Sequence, residues 1–147
     1  MVKDMVRKHI SEENMYRELI ENALQAIKNS YSPYSNFRVG SAVLCSDGKI
    51  YRGTNIENAS YGLSICAERV AIFNAISNGC KSIDAIAVIS EPEDPVPPCG
   101  ACLQVIQEFA SSRDMIVILR SINGNEKTYR LKDLLPVAFT KEELEHR

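Results

Sequence analysis

The chain has 147 residues, 45% apolar and 24% charged, with a net charge of −2 at neutral pH. That length fits one domain spanning residues 1–147, and the balance excludes a disordered chain or a membrane-embedded one. Scattered basic residues give no electrostatic footprint for a nucleic-acid backbone, so a small uncharged partner suits the composition better.

The N-terminal residues Met1 to Lys8 mix charge into every turn and lack the apolar centre of a signal peptide. No stretch approaches the length of a membrane span. Five cysteines in such a chain point to a reducing cytoplasm, where metal binding or catalysis is favoured over a disulfide framework. The odd number also argues against full pairing.

From Ser11 onward, Met15, Leu19, Ile20, Ala23, Leu24 and Ile27 recur at spacings of three and four, which predicts an amphipathic helix capped by Ser11 and ending near Asn29. The turn-rich Tyr31 to Asn36 follows. Phe37 to Leu44 and Ile50 to Asn55, joined at Asp47-Gly48, form a predicted antiparallel hairpin. A helix begins at Cys66, with Val70, Phe73, Ala75 and Ile76 as its apolar pattern and Gly79 as its stop.

Ile83 to Ile89 is almost continuously apolar and β-branched, as befits a central strand covered on both faces. Four prolines, Pro92, Pro95, Pro97 and Pro98, fix a loop before a second helix from Cys99 to Phe109. Met115 to Leu119 and Thr128 to Leu131 flank the turn Asn123-Gly124-Asn125 and make a second hairpin. Helical crossovers make the middle strands parallel. The expected class is α/β: a mixed five-stranded sheet with antiparallel outer hairpins and helices on its faces.

Chemistry concentrates between Cys66 and Cys102. Both Cys66 and Cys99 open predicted helices, where the positive end of the macrodipole favours the thiolate a metal requires. Cys99-x-x-Cys102 alone also suits half a zinc ribbon or a redox dithiol. A structural zinc site needs a fourth protein ligand, for which Cys45, Cys80, His9 and His146 are the spare candidates, none at knuckle spacing from Cys66. The redox motif belongs after the first strand of its unit, whereas this dithiol follows the third strand. Cys45 and Cys80 read as small core-filling thiols.

Three thiolate ligands would leave a fourth position for water, and Glu68, two residues after Cys66 on the adjacent side of the same helical turn, could reach that water. Zinc-bound water can reach a pKa near 7 instead of 15.7, on the order of 12 kcal/mol of easier deprotonation. Three thiolates acidify water less than three imidazoles do, so compensating positive groups are needed. Arg69 and the two helix N-termini supply them.

These residues resemble the signature of zinc-dependent nucleoside and nucleobase deaminases, C/H-x-E followed by P-C-x-x-C. The chain is similar in particular to the small homotetrameric cytidine deaminases through Y-S-P-Y-S-N-F-R-V-G, N-I-E-N-A-S-Y, I-C-A-E-R, P-C-G-A-C and L-L-P-V-A-F, from about Ser30 to Phe139. The resemblance implies the three-layer α/β/α fold of that family, one zinc per subunit, and hydrolysis of cytidine and 2'-deoxycytidine in pyrimidine salvage. It assigns Cys66, Cys99 and Cys102 as ligands and Glu68 as proton shuttle. It places the ribose on Asn55 and Glu57, the base against Phe37 and the Ala67 backbone, and Tyr61 and Phe139 at sites shared between subunits.

Two positions depart from the family pattern. Leu103 stands where arginine is usual, and Val70 where threonine is frequent. Leu103 removes a positive charge near the thiolates, which leaves more of the compensation to Arg69. The competing readings are deaminases of nucleotides, guanine or nucleic acid, a blasticidin S-type deaminase, and a noncatalytic zinc-stabilised module. Glu57 opposes a phosphate beside the ribose by about 4 kcal/mol for unit charges about 4 Å apart, and this favours neutral nucleosides.

Overall fold

A computed structural model describes the backbone of residues 2–145 and the side chains of residues 12–145. The first helix, α1 (Val2–Ile27), runs unbroken through position 11, so its start is not at Ser11. The Ser11 and His9 side chains and the whole of His146 lie outside the described residues. Its apolar face, Leu19, Ile20, Ala23 and Ile27, is buried as the spacing predicts. Each fully buried leucine or isoleucine contributes roughly 1.5–3 kcal/mol.

Strands β1 (Val39–Cys45) and β2 (Ile50–Thr54) form the first hairpin. Helix α2 (Ala67–Ser77), strand β3 (Ile83–Ser90), helix α3 (Gly100–Phe109), and the hairpin β4 (Ile116–Ser121) and β5 (Glu126–Arg130) follow. Single-turn helices α4 (Leu131–Leu134) and α5 (Glu142–Glu145) close the described chain. The five strands lie in the order β2-β1-β3-β4-β5.

Crossovers through α2 and α3 give β2, β3 and β4 a common direction, and β3 pairs β4 in parallel. The middle of the sheet is nevertheless not parallel throughout, because β1 is inserted between β2 and β3 and pairs both antiparallel. Burial explains the order. Six of the seven β1 residues are buried, whereas β2 carries Arg52 and suits an edge.

Side chains alternate across β3. Ala85, Ala87 and Ile89 pack against α1 on one face, while Ile86 and Val88 join Ala71, Ile72, Leu103 and Ile106 on the other. The three-layer α/β/α arrangement is therefore present. Two glycines let the helices approach the sheet closely. A Cβ on Gly40 would lie 2.4 Å from the Ala23 carbonyl of α1, and one on Gly53 would lie 2.2 Å from the Ala71 amide of α2.

Helix α2 buries Ala67, Glu68, Ala71, Ile72 and Ala75. Phe73, expected in the core, is instead 44% exposed, because the small alanines are what fit against Gly53. The helix ends in a Schellman motif: the Gly79 amide donates to Ile76 at 3.0 Å and the Cys80 amide to Ala75 at 3.0 Å, with Gly79 at φ 97°. This turn brings Cys80 onto the sheet. Cys45 and Cys80 are buried in the core, but as a disulfide with a Cα separation of 6.0 Å, not as two free thiols. Pairing these two leaves Cys66, Cys99 and Cys102 free, which resolves the odd count.

Candidate active site

Because β2, β3 and β4 share a direction, α2 and α3 both begin at the carboxyl-terminal edge of the sheet. That edge is where open α/β sheets hold ligands. Cys66 and Cys99 occupy the N-cap positions of the two helices, and Cys102 lies in the first turn of α3. The three sulfurs lie within 4.8 Å of one another, with Cys66 and Cys99 4.0 Å apart. Tetrahedral bonds of about 2.3 Å need sulfurs about 3.8 Å apart, so the cup fits zinc. It is the one such cluster of ligand side chains among the described residues.

The electrostatics of the free cup favour a cation. Cys66 is held down to about 5, first by hydrogen bonding with Cys102 and, against the opposing effect of burial, by the hydrogen bond and charge of Arg69. Cys102 is pushed up, first by its hydrogen bond to Cys66, then by burial and the Glu68 charge. The Arg69 Nη2 donates to the Cys66 sulfur at 3.5 Å. Glu68 is 5% exposed, and burial followed by the Cys66 charge raises its pKa. A divalent ion would reverse these penalties on the thiolates and the carboxylate. Leu103 packs in the apolar cluster beside the cup and provides no charge there.

A cavity of about 420 Å³ borders the cup, lined by Glu68, Cys66 and Cys99 and by Phe37, Asn55 and Glu57. Ala67, also on the wall, is the first residue of α2, where an amide has no intrahelical acceptor. Asn36 adopts a left-handed backbone with φ 56°, which asparagine tolerates, just before Phe37. The Asn55 amide then fixes this loop: Nδ2 donates to the Phe37 carbonyl at 2.6 Å, and Oδ1 accepts from the Val39 amide at 3.0 Å and Ser30 Oγ at 2.5 Å.

Glu57 is similarly occupied. Oε1 accepts from the Tyr34 and Ser35 amides at 3.0 and 3.1 Å, and Oε2 from Ser35 Oγ at 2.5 Å. The Ser35 hydroxyl is the first cause of its lowered pKa. Counting lone pairs and hydrogens leaves one N–H on Asn55 and one acceptor site on Glu57. A sugar hydroxyl can use both.

Two expected contacts are not brought into this cavity. Tyr61 is 75% exposed, edge-on to Tyr34 with ring centroids 6.0 Å apart, in a separate depression that shares Ser35, Glu57 and Ser64 with the cavity. Phe139 is 57% exposed, and its carbonyl accepts from Gln104 Nε2 at 2.7 Å. The sequence reading missed Val39, Val88 and Ser90 on the cavity wall. Extending β3 by one residue would have placed Ser90 on the same face as Ile86 and Val88.

The family model for the cytidine and deoxycytidylate deaminase zinc-binding region matches residues 13–119. A cytidine deaminase of Halalkalibacterium halodurans is 49% identical over 126 residues, spanning 86% of this chain and 95% of its own length. Another, of Sporosarcina psychrophila, is 46% identical over 129 residues, or 88% of this chain and 94% of its own. The crystal structure of cytidine deaminase from Burkholderia pseudomallei superposes with a TM-score of 0.80 at 46% identity, over 84% of this chain and 98% of that one. On the match to that family model and these similarities in sequence and fold, the chain belongs to the cytidine and deoxycytidylate deaminase family.

Proposed function

We propose that this chain is a zinc-dependent hydrolase that converts cytidine and 2'-deoxycytidine to the corresponding uridines and ammonia. The observation that carries the reading is a buried Glu68 beside three mutually adjacent thiols, with Glu68, Cys66 and Cys99 on the wall of a nucleoside-sized cavity. Cys66, Cys99 and Cys102 would hold the zinc, one per subunit. When bound, that ion supplies the Lewis acidity that lowers the pKa of water toward neutrality.

The protein's own groups account for the proton movements. Glu68 takes a proton from the attacking water and delivers it to N3 of the base, which makes C4 electrophilic. It then passes the second water proton to the departing amine, so the carboxylate ends as it began and water plus cytidine gives uridine plus ammonia. Phe37 offers a flat apolar wall to the pyrimidine, the Ala67 amide offers a donor to its carbonyl oxygen, and Asn55 and Glu57 hold the sugar. Arg69 balances the charge of the thiolates.

The same proposal includes a single domain over residues 1–147 and a homotetramer in which Tyr61 and Phe139 reach the sites of neighbouring subunits. Their exposure in one chain supports that assignment. It also includes a role in pyrimidine salvage within the cytoplasm. A Glu68→Gln variant tests the mechanism: it should retain zinc, measured by elemental analysis, and lose nearly all ammonia release. Retained turnover in a zinc-replete variant would remove Glu68 from the proton path.

A further inference from the structure

Three serine hydroxyls lie on the cavity wall: Ser35, Ser64 and Ser90. The first two are engaged. Ser35 Oγ donates to Glu57 and accepts from the Phe37 amide at 3.0 Å, and Ser64 Oγ accepts from the Asn58 amide at 3.1 Å. Ser90 Oγ is different: it has no hydrogen-bond partner among the described residues, although the residue is only 2% exposed. Its backbone is fully used in the sheet, with the carbonyl accepting from the Ile122 amide at 3.0 Å. An orphaned hydroxyl costs free energy that an alanine at this position would not incur. Buried polar groups in folded proteins find partners, and here the missing partner is on the cavity side.

Ser90 is the last residue of β3, and by strand alternation it shares the face of Ile86 and Val88, toward α2 and α3. There it pairs with Val39 of β1 and lines the cavity together with Cys66, Glu68 and Cys99. The rest of that wall is apolar, through Val39, Val88 and Val96. A pyrimidine nucleoside held with its sugar at Asn55 and Glu57 directs its C4 edge inward, and N3 is the partner of Glu68. The polar group left for Ser90 is the exocyclic amine.

We propose that Ser90 is a substrate-binding residue of this site, its hydroxyl oxygen accepting an N–H from the C4 amine of cytidine and so setting the orientation of the leaving group. Ser90 gains and loses no proton, since the proton that completes ammonia comes from Glu68. The inference rests on the deaminase reading above and adds a residue to it.

The test is ligand binding in a zinc-loaded Glu68→Gln background, where turnover does not intervene. Two ligands are titrated by calorimetry: cytidine, and the pyrimidin-2-one riboside that carries hydrogen in place of the C4 amine. Ser90→Ala should weaken cytidine by about five- to tenfold, the loss of one hydrogen bond, and change the riboside lacking the amine by less than about twofold. Its thermal midpoint should equal or exceed that of its parent, because the orphaned hydroxyl is gone. Unchanged cytidine affinity overturns the contact. Equal weakening of both ligands, or a lowered midpoint with both weakened, shows a packing role and overturns it too. Ammonia release from cytidine by the unaltered enzyme, measured in parallel, tests the deaminase reading separately, so a silent Ser90→Ala variant refutes only this contact.

Discussion

Replacing Arg69 by glutamine removes the guanidinium that contacts the thiol cup. Its Nη2 lies 3.5 Å from the Cys66 sulfur, and unit charges at that spacing attract by about 5 kcal/mol at an effective dielectric of 20. Arg69 is half-buried, so solvent and salt reduce the effect to about 2 kcal/mol, or a zinc site weakened about thirtyfold. This falls in the tenfold to hundredfold range typical of groups that support metal ligands, about 1.4–2.7 kcal/mol. The position after Cys102 does not compensate, because Leu103 is packed in the apolar cluster. The assay is competition for zinc between the purified enzyme and a chromophoric chelator, run on Arg69→Gln and Arg69→Lys. Lysine keeps the charge but loses the planar fork, so it should fall between the other two. Zinc affinity and turnover of Arg69→Gln within about twofold of the parent enzyme would refute charge compensation by this residue.

Two further predictions concern the scaffold. The disulfide between Cys45 and Cys80 closes a loop of 35 residues, a chain-entropy contribution of about 4 kcal/mol. A phosphine reductant should therefore lower the thermal midpoint by about 10 °C in the parent protein but not in Cys80→Ala; equal midpoints with and without reductant would show that the pair does not cross-link. Gly40→Ala and Gly53→Ala should each destabilise by about 1–3 kcal/mol or more, since each Cβ meets helix backbone. Only Gly53→Ala should also weaken zinc binding, because it displaces α2, whose N-cap residue is the thiol Cys66. Equal zinc affinity in the two folded variants would contradict the coupling of β2 to the site.

The cup was legible because its chemistry is local. A cysteine that opens a helix, a glutamate two positions later and a dithiol after a proline-rich loop place the three thiols and the carboxylate within two short segments. Helix and strand bounds at β3, α2 and α3 followed from apolar runs and from Gly79 and the prolines. What escaped depends on contacts distant in sequence. The hairpin of β1 and β2 can join the sheet by either strand, and only the contrast between apolar β1 and Arg52 in β2 hints at which one is interior. Phe73 fits a helical period, yet the close approach permitted by Gly53 selects the alanine face of α2. The pairing of Cys45 with Cys80 needs the Schellman turn and the sheet together. Ser90 was hidden because its meaning lies in what it lacks, a hydrogen-bond partner, which no sequence pattern records.

The most direct measurement is ammonia release by the zinc-loaded protein from cytidine, 2'-deoxycytidine, their 5'-monophosphates, adenosine and blasticidin S. Release from the two cytosine nucleosides, with little or none from the other four, is the predicted result. Stoichiometric zinc without ammonia from any cytosine compound would contradict a deaminase and leave the cup as a structural metal centre.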